Sequence, residues 1–147
     1  LKYNFSISPY IDVSQKNKLS QNKQAGARKK PERVEGTLSC ELPKTLVKKN
    51  DIHITSKRNF DCFQDTELDM LLKRTLNIKN IIICGVNTDT CVYGTTFGAS
   101  NRGYNPIVIE CCTGSMRGED QHKTALKIMS QSIAWVMKKE EIINKLN

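Results

Sequence analysis

From residue 51 onward, apolar positions along the chain recur with two different periods. The stretch "DIHITSK" alternates like a strand that ends at Lys57. In "DTELDMLLKRTLN", Leu68, Leu71, Leu72 and Leu76 share one helical face, and Thr66 with Asp69 three residues later has the form of a capping box. "NIIICG" is a continuous apolar run of strand length, the pattern of a strand buried on both faces. A helix opening near Asp89 or Thr90 puts Val92, Thr96 and Ala99 on one side, with Gly103 placed to stop it. "NPIVIECC" reads as the next buried strand, "EDQHKTALKIMSQS" as a helix, "IAWV" as a short strand and "KKEEIINKL" as a last helix. Upstream, "CELPKTL" reads as a short helix or turn and "LKYNFSISPY" as the end of a strand. The residues between, up to Arg33, read as an exposed loop.

Strand and helix therefore alternate from residue 51 to the end. That order predicts a mostly parallel sheet with helices on both faces, a three-layer α/β fold of Rossmann-like topology. Ligands in such sheets sit beyond the carboxyl ends of the strands. Three stretches lie at such ends: Lys57, the loop from Gly85 to Cys91, and the run from Glu110 to Ser115.

At 147 residues the chain has room for one domain with a core. The expectation is a single domain over 1–147, with a strand end and basic loop in 1–34 and the recognisable core in 35–147. The net charge of +8 is concentrated, since residues 16–33 hold seven Lys or Arg against one Glu. Without interleaved aromatics this run reads as a solvated loop, and neither nucleic acid nor a membrane is an expected partner. No apolar stretch reaches the roughly 20 residues a membrane span needs, and no signal-peptide pattern opens the chain, so a cytoplasmic location is expected. The first residue is Leu1, which leaves room for a start inside a longer protein. Several of the six cysteines lie in strand-like apolar runs, where a reduced thiol behaves as a small hydrophobe. No CxxC occurs, and His53 and His122 lie far apart, so no metal is expected; no GxGxxG or Walker pattern accompanies the Gly85 turn, and no cofactor is expected either.

Cys91 carries the candidate chemistry. Gly85 permits a tight turn after "NIIIC", and Thr88, Asp89 and Thr90 are all residues that favour helix starts. Cys91 then falls in a first helical turn, where outward-pointing amides and the helix dipole favour an anionic sulfur. The same amides suit the oxyanion of a tetrahedral intermediate. An ammonium at a strand end, Lys57, would favour the same charge. A thiol packed as a small core residue is the alternative from position alone.

The stretch "GVNTDTCVYGTTFGASNRGYNPIVIE" closely resembles the core motif of the isochorismatase-like cysteine hydrolases. That superfamily includes nicotinamidases, N-carbamoylsarcosine amidases, ureidoacrylate and biuret amidohydrolases, and isochorismatases. "SKRNFDCFQDTELDMLL", "EGTLSCEL" and the segment from "CCTGSMRGED" onward extend the resemblance over residues 35 to about 144. It implies Cys91 as nucleophile, Lys57 as catalytic lysine, and a cis peptide at Val86–Asn87. The oxyanion hole would be formed by the backbone amides of Asn87 and Cys91. It further implies a small-molecule substrate with an amide or ureido C–N bond, a thioester intermediate, and a homo-oligomer. The acid and histidines that bind metal in nicotinamidases have no counterparts here.

The family's third catalytic residue, an aspartate on its first strand, has no evident position in this chain. The first strand and first helix are thus expected to be missing. Asp12 in "PYIDVSQKN" lies only 45 residues before Lys57, and Asp89 reads better as helix-start chemistry than as the acid. Glu110 lies near the same sheet end. The rival expectations are a catalytically impaired, truncated paralogue serving as a binding or structural domain, and a nucleic-acid-binding module built on residues 16–33.

Overall fold

Branched and aliphatic side chains concentrate in the runs that become strands, and all the pairings among them are parallel. The computed structural model describes residues 5–7, 38 and 41–146, the first three by backbone alone. Asp12, Cys40, the basic run 16–33 and most of "EGTLSCEL" lie outside these described residues. Two compact units divide at Arg58 and Asn59.

In the first unit, β1 (Phe5–Ile7) pairs with β2 (Ile52–Ile54), Phe5 opposite Ile52 and Ile7 opposite Ile54. A turn feeds β2: the Asp51 carboxylate accepts the Lys48 N–H at 2.9 Å, and the Lys48 carbonyl accepts the Asp51 N–H at 3.0 Å. Ile54 is buried, and so is Lys57 three residues on. The Arg58 guanidinium donates to the carbonyls of Thr55 (2.8 Å) and Lys57 (3.2 Å), which fixes the backbone as it leaves β2.

The second unit carries a three-stranded sheet in the order β3 (Asn80–Val86), β4 (Asn105–Gly114), β5 (Trp135–Met137). A short helix α1 (Leu68–Met70) runs into a wider π turn, Leu71–Thr75, ahead of β3. Between β3 and β4 lies α2 (Tyr93–Asn101), entered through the π turn Thr88–Val92. Helix α3 (Glu119–Ser132) joins β4 to β5, and α4 (Lys139–Leu146) ends the unit. Helices α2 and α3, which make the crossovers from β3 to β4 and from β4 to β5, touch each other, as right-handed connections running the same way along a sheet place them. No helix among the described residues is long and apolar enough to cross a membrane.

The predicted elements are present with shifted edges. Val92, Thr96 and Ala99 are all buried, as their spacing requires. Helix α2 stops where Gly103 predicts: at φ +79° the chain turns, the Gly103 N–H reaches Ser100 and the Tyr104 N–H reaches Ala99. This paired return is the Schellman stop, a conformation that favours glycine. In α3, His122, Ala125, Leu126 and Met129 are buried at the i, i+3, i+4, i+7 spacing of an inward stripe. The stripe meets Ile83, Val92 and Val108 in one apolar cluster.

Two local expectations fail. The Thr66 hydroxyl makes no capping box with Asp69; it donates to the Cys62 carbonyl at 2.6 Å and accepts the Leu68 N–H at 3.3 Å. Asp69 instead accepts the Tyr104 hydroxyl at 2.9 Å, while the Tyr104 ring stacks on Phe63 with centroids 5.5 Å apart. Burial first, then the Asp69 bond and charge, push the Tyr104 phenol well above its usual range despite the opposing Arg102. Tyr104→Phe is expected to lower stability by about 1–2 kcal/mol, read from the urea midpoint, because a charged acceptor loses its donor.

The second failure is β3. It is not buried on both faces: Ile83 is its only buried residue, and Cys84, Gly85 and Val86 are exposed. Among the described residues β3 pairs with β4 alone. Register also slips at this end. Ile83 faces Val108 but Gly85 faces Thr113, so β4 advances five residues while β3 advances two. The extra residues bulge outward and carry Cys111 and Cys112 into solvent.

Candidate active site

Gly85, at φ +124°, begins the departure from β3, and the Val86–Asn87 peptide is cis. Asn87 is extended, and its carbonyl accepts the N–H groups of Thr90 and Val92, both at 3.1 Å. That closes the wide turn on which Cys91 sits, half-buried, one residue before the buried Val92. The turn flows without a break into α2, so Cys91 lies at the opening of a continuous helical segment of residues 88–101. Helix starts favour negative charge.

Each of the three residues that open this turn is held by the chain segment that follows β4. The Asn87 side-chain oxygen accepts the Met116 N–H at 3.1 Å. Thr88, fully buried, shares a 2.8 Å hydrogen bond between its hydroxyl and Nδ1 of the buried His122. The Asp89 carboxylate accepts the Ser115 hydroxyl on one oxygen and Arg117 Nη1 on the other, both at 2.7 Å. Ser115 in turn accepts the Arg117 N–H at 3.1 Å. Burial would raise the Asp89 carboxyl, but the bonds from Ser115 and Arg117, its own backbone N–H and the Arg117 charge outweigh it and hold the group below the usual carboxylate range.

The structure thus brings two predicted stretches together, Gly85–Cys91 and Glu110–Ser115, at the carboxyl ends of β3 and β4. Asn87 and Cys91 share one turn. Lys57 lies in the first unit, just past β2, with 7% of its surface exposed. His53 is an exposed residue of β2, and His122 is occupied with Thr88. Among the described residues no group of three or more His, Cys, Asp or Glu is placed to hold a metal ion. Asp89 lies in the first turn, but Asn87 occupies the N-cap position, and the Asp89 carboxylate also reaches across to another loop. Ser115, Arg117 and His122 escape sequence reasoning as turn partners because they stand 26 to 34 residues from the groups they hold.

A second group of thiols gathers at the bulge. Cys111 and Cys112 sulfurs lie 4.0 Å apart, and Cys84 stands beside them on the neighbouring strand. These cysteines are not core hydrophobes as expected; only Cys62 among the described thiols is buried, where it accepts a bond from the Thr95 hydroxyl at 3.0 Å. Although the residue as a whole is exposed, partial desolvation of its sulfur pushes the Cys84 thiol up to about 11, with the neighbouring Cys112 and Cys111 adding to it. At pH 8 about one part in a thousand of such a thiol is ionised, against about a quarter of an ordinary one. Iodoacetamide labelling followed by peptide mass spectrometry should therefore find Cys84 nearly inert at pH 8, its rate still climbing beyond pH 10. Fast labelling of Cys84 at pH 8 would contradict that environment.

A surface hollow of about 290 Å³ lies elsewhere, lined by Ser100, Tyr104, Asn105, Ser130, Gln131 and Trp135. It sits at the amino-terminal ends of β4 and β5. Strand-end topology favours the opposite edge, where Cys91 lies.

The Isochorismatase domain family matches residues 9–141. The uncharacterized isochorismatase family protein YecD of Escherichia coli O157:H7 is 33% identical over 97 residues, covering 66% of this chain and 50% of its own. The chain spans about half the length of the curated relatives it matches. Among solved structures, an isochorismatase-like hydrolase from Alkaliphilus metalliredigens superposes with a TM-score of 0.83 at 23% identity, over 99% of this chain and 74% of its own. The nicotinamidase PncA from Bacillus subtilis superposes with a TM-score of 0.77, also at 23% identity, over 92% of this chain and 75% of its own. At these identities the likeness is one of fold.

Proposed function

Because the chain belongs to the isochorismatase family, we propose that it is a cysteine hydrolase that cleaves an amide or ureido C–N bond of a small molecule. The observation that supports this reading is the place of Cys91: a half-buried thiol at the opening of a helix, on a turn whose three leading residues are each tied down. In the proposed reaction the Cys91 sulfur attacks the substrate carbonyl. The backbone amides of Asn87 and Cys91 receive the oxyanion, and the C–N bond breaks as the amine leaves with a proton. Water then attacks the thioester, releasing the acid and restoring the thiol. Lys57 is the proposed cation for the sulfur and the intermediate; lysine is rarely buried unless paired, and this one is buried. The reaction needs no metal or organic cofactor. A cytoplasmic homo-oligomer belongs to the same proposal.

The leaving amine needs an acid. Asp89 is a poor one, since two strong donors hold its carboxylate ionised. That observation favours a second reading, a binding or structural domain that retains the turn without turnover. One experiment separates the two. Wild type and Cys91→Ser are incubated with a panel of small amides and ureides, and amine or ammonia release is followed. Release by wild type alone supports the hydrolase. No release from any compound, with Cys91 still labelled by iodoacetamide, supports the binding domain. Equal release by both proteins defeats the nucleophile.

A further inference from the structure

Three consecutive residues, Asn87, Thr88 and Asp89, are each bonded to the single segment 115–122. Nothing in helix geometry requires this, because a first turn can leave its side chains to water. The contacts are also unequal in strength. Asn87 and Thr88 make neutral bonds. Asp89 makes two charge-assisted ones, with a carboxylate side chain that is 9% exposed against 44% for Arg117. A surface ion pair would count for little, but a carboxylate this far from water depends on its partners.

We propose that Asp89, Ser115 and Arg117 form a positioning clamp that sets the Cys91 turn. The clamp acts through geometry. Asp89 lies two residues before Cys91, and the Asn87 carbonyl that closes the turn lies two before Asp89. Pulling the Asp89 carboxylate onto the post-β4 loop fixes the backbone on which the Cys91 sulfur and the neighbouring amides are mounted. Ser115 aligns the device from within, since its hydroxyl donates to Asp89 while its oxygen accepts the Arg117 N–H. Asp89, Ser115 and Arg117 are positioning residues; none is assigned contact with substrate. Their catalytic consequence rests on the hydrolase reading, but the clamp itself is measurable without substrate.

The test uses the full chain and four variants: Arg117→Gln, Arg117→Lys, Ser115→Ala, and Arg74→Gln as an exposed control on the turn after α1. Two quantities are read, hydrogen exchange of the peptide covering residues 87–92 and the rate of Cys91 alkylation by iodoacetamide. Arg117→Gln is expected to speed exchange in that peptide about tenfold, the size of a lost hydrogen bond to a charged group, and to slow Cys91 alkylation severalfold. Arg117→Lys should restore most of both effects. Ser115→Ala removes no charge, so its slower alkylation reports geometry rather than a lost cation. Arg74→Gln should match wild type. Unchanged exchange in both Arg117→Gln and Ser115→Ala overturns the clamp. Faster exchange spread evenly over α3 and β4 also overturns it, because that is general destabilisation. A protein that exchanges as expected but hydrolyses no amide or ureide defeats the hydrolase reading alone and leaves the clamp standing.

Discussion

Cys91→Ser is expected to lower turnover of any C–N substrate at least about a thousandfold, equivalent to about 4 kcal/mol of transition-state stabilisation. Serine nearly matches cysteine in size, so the half-buried site should accept it and the fold should stay intact. What changes is the nucleophile. Sulfur is the more nucleophilic atom and a thiol gives up its proton more readily than a hydroxyl, which needs a base to take it. Among the groups that hold this turn, His122 is occupied with Thr88 and Asp89 with Ser115 and Arg117. The check is kcat for wild type and variant at matched folding, with the urea midpoint of each measured alongside. A variant that folds equally well and keeps a tenth of wild-type kcat would remove the covalent mechanism.

Much of the framework was legible in the sequence, and the reasons differ from residue to residue. Gly103 could be read as a helix stop because only local geometry is involved, with bonds spanning three and five residues. The inward faces of α2 and α3 could be read because burial imposes a helical period on Val92, Thr96 and Ala99, and on Ala125, Leu126 and Met129. The position of Cys91 followed from a glycine turn after an apolar run. The partners of the turn could not be read the same way. Ser115, Arg117 and His122 reach Asp89 and Thr88 only because parallel strands β3 and β4 end side by side, and no local pattern marks which polar residue will meet which.

Two misreadings share a physical cause. "NIIICG" and "NPIVIECC" are apolar enough to suggest burial throughout, yet Cys84, Cys111 and Cys112 are exposed. Hydrophobic runs report average burial and are blind to a register slip such as the one after Ile83. Thr66 and Asp69 have the spacing of a capping box, but each finds a stronger partner, the Cys62 carbonyl and the Tyr104 hydroxyl. Short polar side chains choose among backbone and distant groups once tertiary contacts exist, and the local option loses.

Met129→Ala is expected to be the most damaging of the core substitutions, at about 2–5 kcal/mol. Met129 is fully buried and packs in one cluster with Ile83, Val92, Val108 and Leu126. Truncation removes transfer free energy and leaves a void that close-packed neighbours fill only in part. A domain of this size has only about 5–15 kcal/mol of net stability, so the loss is a large share of the total. The effect should reach the site as well. Ile83 stands two residues before Gly85 and Val92 one residue after Cys91, so two apolar residues flanking the nucleophile turn share one buried cluster with Met129. Urea unfolding of wild type, Met129→Ala and Met129→Leu is the measurement. The leucine variant conserves volume and should lose less than about 1.5 kcal/mol. Should alanine cost less than about 1 kcal/mol by the same assay, the cluster does not anchor the turn, and the Asp89 clamp would have to hold Cys91 in place without support from beneath.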